Sequence, residues 1–364
     1  MKLFFSFLFF LTFLSAKNYC NDLSDKRNTL IYVDLSSANN NHFPSKLIKA
    51  LRGSFLPHER VKVYFINPQT SEINEVFNSC VPKLSQSEIL KIKKEGGLYL
   101  FGGNPIEDAN EDLMFFYSSL KNVFKKALKN HIESDEKPLV EIFYNEEDKF
   151  SNPLNRVIIY SDMIQNSKEI SLKAVLENDL DKIKEYRVNY NYSNIYVLLN
   201  KKVLKGSDFL KLRRFWHCYY EDNKANLKNF NTTLNFYKLK GYYIKKYEGN
   251  MKYSDGSEFK IKLLIAYDGK GNVINGWFII NEIDSVPVKG KVFIKKGKIA
   301  KVKLTVYNLC KSHYLINGEK INLIFDKKSV KGELVIDNTK TIVKTPKGNI
   351  IENPKVMLEF KEEE

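Results

Sequence analysis

The strongest constraint on this chain is a pair of short apolar runs that each end in an aspartate. Arg156–Tyr160 is followed by Ser161, Asp162 and Met163, and much earlier Thr29–Val33 runs into Asp34, Leu35, Ser36 and Ser37. Runs that are mostly apolar on both faces suit a parallel strand covered by helices on either side. In an open sheet of that kind the carboxyl ends of the strands share one edge, and ligand sites form there. Asp34 and Asp162 are therefore expected to face one crevice.

Strand and helix patterns alternate from Thr29 to Tyr220. The expected strands are Thr29–Val33, Val61–Ile66, Leu98–Phe101, Arg156–Tyr160 and Asn194–Leu199. Between them, apolar residues at a spacing of three to four mark helices over Ser45–Ser54, Asp112–Asn130, Ile170–Tyr186 and Ser207–Tyr220. This order predicts an α/β domain with a doubly wound, mostly parallel sheet. After about Asn226 the pattern changes to two-residue alternation, as in Phe259–Leu263 and Ala300–Val306, punctuated by Asp255-Gly256, Lys296-Gly297 and Asn317-Gly318. The prediction for this part is an all-β antiparallel sandwich or open barrel of about eight strands. The polar segment Glu221–Asn235 reads as the linker, which sets the domains at 17–226 and 227–364.

Residues 1–16 have the composition of a secretory signal peptide, with Lys2, an apolar run from Leu3 to Leu14, then Ser15 and Ala16. The run is short for a bilayer-spanning helix, although an uncleaved anchor or a buried first helix is the alternative. The expected location is exported, periplasmic or secreted, with no transmembrane segment in the mature chain. Four cysteines, Cys20, Cys80, Cys218 and Cys310, lack metal-ligand spacing and in an exported chain suggest disulfides, with buried free thiols as the alternative. Chain order favours Cys20 with Cys80 and Cys218 with Cys310, because the other pairings cross both domains twice.

The formal charge is +15, and from Lys228 onward 26 Lys stand against 15 Asp plus Glu. A basic β domain favours anionic envelope surfaces, while nucleic acid is not expected as a partner. The plain alternative is a set of solvated lysines on sheet faces and edges.

The residues around the two aspartates resemble the von Willebrand factor type A fold, in particular its diverged bacterial exported versions. The resemblance covers Thr29 to Tyr220. It rests on a strand ending in Asp34-x-Ser36, a later strand running into Ser161-Asp162-Met163-Ile164-Gln165-Asn166-Ser167, the segments Asn78–Pro82 and Lys137–Glu141, and Phe215-Trp216 with Tyr219-Tyr220 in the last helix. In that family an Asp-x-Ser-x-Ser motif, a Thr and a distant Asp bind a divalent cation, with one position open for an acidic group of the partner. The resemblance implies that Asp34, Ser36 and Asp162 are ligands of such a site, but Ala38 stands at the second serine position and Lys137 at the place that resembles the Thr. One oxygen is lost and one ammonium gained, so no cofactor is expected beyond a weakly held Mg²⁺ or Mn²⁺.

Three readings of the aspartates stand open: a weakened metal site, a metal-free cluster with Lys137 as counter-charge, or caps of the following loops. The five histidines lie singly, and Gly96-Gly97 and Gly102-Gly103 lack the spacing of a phosphate-binding loop. No nucleophile has a base placed beside it, so no catalytic residue is assigned. The expected function is non-enzymatic contact with a protein partner. A true metal-dependent adhesion module is the alternative, and a metal-dependent hydrolase is the remote one.

Overall fold

A strand that is apolar on both faces buries both of them, and β1 (Thr29–Asp34) has no exposed residue along its length. It pairs in parallel with β2 (Arg60–Asn67) on one side and with the equally buried β4 (Arg156–Ser161) on the other. The sheet is completed by β3 (Glu72–Cys80), β5 (Ser193–Leu199) and β6 (Ala225–Asn231), in the order β3-β2-β1-β4-β5-β6. All neighbours are parallel except β3, which runs antiparallel to β2. The computed structural model describes residues 19–20, 27–95, 104–177, 179–201, 204–239, 241–282, 284–307, 310, 320–325, 330–335, 342–344, 350–352 and 356–362. The signal-peptide segment 1–16 and the expected strand Leu98–Phe101 with its flanking glycines lie outside these residues.

Successive side chains of a strand point to opposite faces, so β1 divides its core in two. Leu30 and Tyr32 join the cluster under α4 (Leu139–Tyr144), α5 (Leu172–Glu177) and α6 (Gly206–Asp222). Ile31 and Val33 join the cluster under α1 (Phe43–Leu51) and α3 (Pro105–Lys129), while α2 (Gln86–Lys94) has no buried residue. The doubly wound sheet is thus as expected, with three corrections of detail. Helix α3 begins earlier than Asp112, because the Asn104 side chain accepts from Ile106 N at 3.1 Å and Pro105 occupies the first turn. The expected Ile170–Tyr186 helix is divided among the described residues into α5, which ends at Glu177, and a 3-10 segment at Leu180–Tyr186. The segment Glu221–Asn235 is not a linker: it contains the end of α6 and the whole of β6, the sixth strand of the sheet.

The second domain is antiparallel and its sheet closes on itself. β7 (Tyr243–Lys252), β8 (Glu258–Tyr267), β9 (Val273–Ile280), β10 (Asp284–Lys295), β11 (Lys298–Val306), β12 (Lys320–Phe325), β13 (Val330–Val335) and β16 (Val356–Glu362) form a closed barrel of eight strands. A two-stranded excursion, β14 (Ile342–Lys344) with β15 (Ile350–Glu352), separates β13 from β16, which pairs back onto β7. The interior is filled by apolar side chains such as Met251, Phe278, Val302, Leu323 and Leu358. Closure needs sharp curling, and glycines supply it. A Cβ on Gly249 would lie 1.8 Å from Glu359 O, and one on Gly290 would lie 2.0 Å from Lys303 O.

The barrel docks on the amino end of the parallel sheet. Its outward-facing Leu264, Trp277 and Ile279 bury against Leu154 and Tyr192 of the α/β domain, and Asn275 Nδ2 donates to Tyr192 O at 2.7 Å. Both expected disulfides are present. Cys20–Cys80 ties the N-terminal segment to β3, and Cys218–Cys310 joins α6 to the barrel, with Cα separations of 5.3 and 5.4 Å.

The Cys218–Cys310 bond closes a span of 92 residues. Its replacement by Cys218→Ser/Cys310→Ser is expected to lower unfolding free energy by about 4 kcal/mol through the restored freedom of the unfolded chain. Urea unfolding of oxidised protein measures this, and a double variant as stable as its parent would show that the clamp adds nothing.

Candidate functional site

Asp34 ends β1 at the carboxyl edge of the sheet and is fully buried. A buried carboxylate must replace its lost water with donors. It accepts from Ser36 N at 2.9 Å, Ser36 Oγ at 2.7 Å, Ser37 Oγ at 3.0 Å and Ser161 Oγ at 2.8 Å. The bond from Ser36 N also caps the 3-10 turn Leu35–Ser37. Every one of these donors is a neutral hydroxyl or amide.

Asp162 lies just past β4 on the same edge and is nearly buried. Its Oδ1 accepts from Ile164 N at 3.0 Å, and its Oδ2 receives Lys137 Nζ at 2.6 Å. Lys137 is brought there by its backbone. An isolated antiparallel bridge pairs it with Asn166, with Lys137 N donating to Asn166 O at 2.7 Å and Asn166 N donating to Lys137 O at 3.0 Å. The loop between Asp162 and Asn166 is fixed from below by Trp216 of α6, whose Nε1 donates to Met163 O at 2.8 Å. Ser37 connects the two aspartates, since its hydroxyl donates to Asp34 while accepting from Asp162 N at 3.0 Å.

The residues singled out in the sequence therefore meet. Asp34, Ser36, Asp162 and Lys137 share one crest, and Ala38 lies fully buried beside Leu35–Ser37. A divalent cation such as Mg²⁺ needs about six oxygen ligands near 2.1 Å in octahedral array. Here the oxygens of Asp34 are occupied by four donors and an ammonium contacts Asp162. This donor set does not fit the ion. Among the described residues, no three His, Cys, Asp or Glu side chains gather in a metal-binding cluster. Ser37 and Ser161 complete the crest and were not assigned a role from sequence, although each is adjacent to a residue that was.

A second buried polar cluster lies at the opposite end of the same strands. Glu59, fully buried, accepts from Arg27 Nη2 at 2.7 Å, Arg156 Nη2 at 3.2 Å, Leu56 N at 2.7 Å and the Thr29 hydroxyl. The Arg156 guanidinium lies over the rings of Phe55 at 4.9 Å and Phe236 at 4.8 Å, and Arg27 lies 5.6 Å over Tyr242. Phe236 and Tyr242 belong to the segment that leads into the barrel, so this cluster anchors the junction between domains. Sequence reasoning missed it, and the one available signal was an arginine opening an otherwise apolar buried strand.

The fold and its crest define a class of protein: a mostly parallel α/β domain with helices on both faces, followed by a closed antiparallel β-barrel. No protein-family model matches the chain, and no curated protein matches it. Among solved structures, the human COPII-coat protein Sec24c is similar over 94% of this chain and 44% of its own, at 10% sequence identity and a TM-score of 0.33. This chain thus spans less than half of that protein, and the likeness is too loose to support a functional argument.

The Arg27–Glu59–Arg156 cluster sets a pH dependence. Burial alone would raise the Glu59 carboxyl, but the two guanidiniums and the Leu56 amide hold it below the usual glutamate range. Burial and the neighbouring Arg27 bring Arg156 down to about 10, which leaves it charged at neutral pH. A depressed folded-state value stabilises the fold above the unfolded glutamate value of about 4.3, and that contribution is lost as pH falls through the folded value. Glu59→Gln is therefore expected to cost about 3 kcal/mol near neutral pH, with the gap to the parent narrowing in acid. Denaturant unfolding of both proteins across pH measures this, and a gap that stays constant into acid would contradict the assignment.

Proposed function

We propose that this chain is an exported, non-enzymatic binding protein, and that its α/β domain is a diverged von Willebrand factor type A-like module that engages a protein partner without a metal ion. The observation that carries this reading is the Lys137 ammonium 2.6 Å from Asp162. In the family a cation bridges the motif to an acidic group of the partner. A lysine supplies positive charge at that place but no open coordination position, so partner contact falls to the exposed surface of the crest. The sheet order, its single antiparallel edge strand and the shared edge of Asp34, Ser36 and Asp162 are consistent with the family. Export is supported by two disulfides, which persist in oxidising compartments. Among the described residues, no helix is long and apolar enough to cross a membrane.

The barrel supplies a second surface. Lys301, Lys303 and Lys331 line an outer groove of about 630 Å³ with the exposed apolar side chains of Ile324 and Met357. Strand register aligns Lys303, Asn322, Glu333 and Met357 in one row across four strands. Cations beside exposed apolar groups favour an anionic envelope surface as the second contact. The metal-dependent alternative is favoured by one observation, the retention of Asp34 and Ser36 in the motif's spacing.

Thermal melts separate the two. The parent is expected to show no shift with millimolar Mg²⁺ or Mn²⁺, because an ion that does not bind cannot stabilise. Ala38→Ser/Lys137→Thr restores the missing oxygens and is expected to gain an upward shift that Asp34→Ala then removes. A shift in the parent that Asp34→Ala abolishes would overturn the metal-free reading.

A further inference from the structure

The α6 face bearing Leu210, Arg213, Arg214 and His217 lies across from edge strand β6 and from Tyr307 of the barrel. The three walls enclose a cleft of about 390 Å³, a size typical of small-ligand pockets. We propose that this cleft binds a small phosphate-bearing molecule, with Arg213, Arg214 and Lys228 on the phosphate and Tyr307 and Phe230 against the rest of the ligand.

Carboxylates on α6 pair with residues other than Arg213, Arg214 and Lys228. Glu221 stands 3.5 Å from His217, and Asp208 stands 3.5 Å from Lys211. Among the described residues no carboxylate forms an ion pair with Arg213, Arg214 or Lys228. Guanidinium groups present paired N–H donors that match phosphate oxygens, and three cations suit a dianion.

The backbone points to the same place. The register of β5 with β6 passes from Ile195↔Leu227 to Tyr196↔Asn229, which leaves Lys228 as the extra residue of a β-bulge. Bulges at sheet edges re-aim a side chain, and Lys228 lines the cleft. Lys228 is exposed by area, yet the protein crowding its ammonium, with Lys289 nearby, holds it down to about 8. Lys289 itself lies 4.5 Å over the Tyr307 ring. Cations so arranged repel one another until an anion enters. The Cys218–Cys310 bond lies in the cleft wall and holds the helix and barrel sides in place before any ligand arrives, which lowers the cost of binding.

Calorimetric titration of the oxidised two-domain protein with inorganic phosphate and with phenyl phosphate tests the proposal. Phenyl phosphate is expected to bind, and to bind more tightly than inorganic phosphate because its ring meets Tyr307 and Phe230. Arg213→Gln/Arg214→Gln is expected to weaken binding by about tenfold or more, with ligand-free melting unchanged because both arginines are exposed, and Lys228→Met to weaken it separately by several-fold. Equal binding of phenyl phosphate by parent and variants would overturn the site. So would sedimentation with phosphatidylglycerol vesicles that depends on the same arginines while neither soluble phosphate binds, since the group recognised would then belong to a lipid surface.

Discussion

Two carboxylates buried at one end of a parallel sheet need hydrogen-bond donors or a counter-charge to replace the water they have lost. The structure solves this separately for each. Asp34 is surrounded by hydroxyl and amide donors, and Asp162 carries the only cation of the crest among the described residues, the Lys137 ammonium. Ser37 ties the two arrangements together through a single hydroxyl. The loop geometry follows from these bonds: the turn after β1 is capped by Asp34, the loop after β4 is drawn to Lys137 and Asn166, and Trp216 supports that loop from α6. An ion here would have to displace hydrogen bonds that already meet the need for charge and polarity.

The other end of the same strands carries the opposite balance. Two arginines converge on Glu59, and aromatic faces from the segment entering the barrel cover them. Removing one partner from such a cluster leaves an uncompensated buried charge, so the cluster strongly favours one arrangement of sheet, N-terminal segment and barrel. The barrel consequently covers the amino end of the sheet and leaves the crest with Asp34 and Asp162 at the far end. With the Cys218–Cys310 bond, the two domains are held together by a charge cluster, an apolar contact around Trp277 and a covalent link. These fix the walls of the cleft between α6, β6 and Tyr307.

The central strands were legible in the sequence because β1 and β4 are apolar on both faces, a pattern few other elements produce. The barrel strands were legible from their two-residue alternation, and the cysteine pairs from chain order. Edge strands β3 and β6 were not, since a strand with one open side carries Glu72, Asn74 and Glu75 or Asn226, Asn229 and Asn231 without penalty and reads as a loop. Missing β6 also hid Lys228, because a bulge is a property of pairing and leaves no mark on one strand alone. Glu59 and its arginines were missed for another reason. Its partners lie 32 and 97 residues away, and no local pattern joins them. Lys137 could be placed at the crest only through the family resemblance, because the bridge to Asn166 that positions it is a single backbone pair.

In the proposed metal-free crest, the Lys137 ammonium stands where a metal ion would otherwise meet the charge of Asp162. Anomalous diffraction from crystals grown with Mn²⁺ tests this most directly. No anomalous peak is expected between Asp34 and Asp162, with Lys137 Nζ in contact with the Asp162 carboxylate. A manganese peak coordinated by Asp34 and Ser36, with the Lys137 side chain turned away from Asp162, would contradict it.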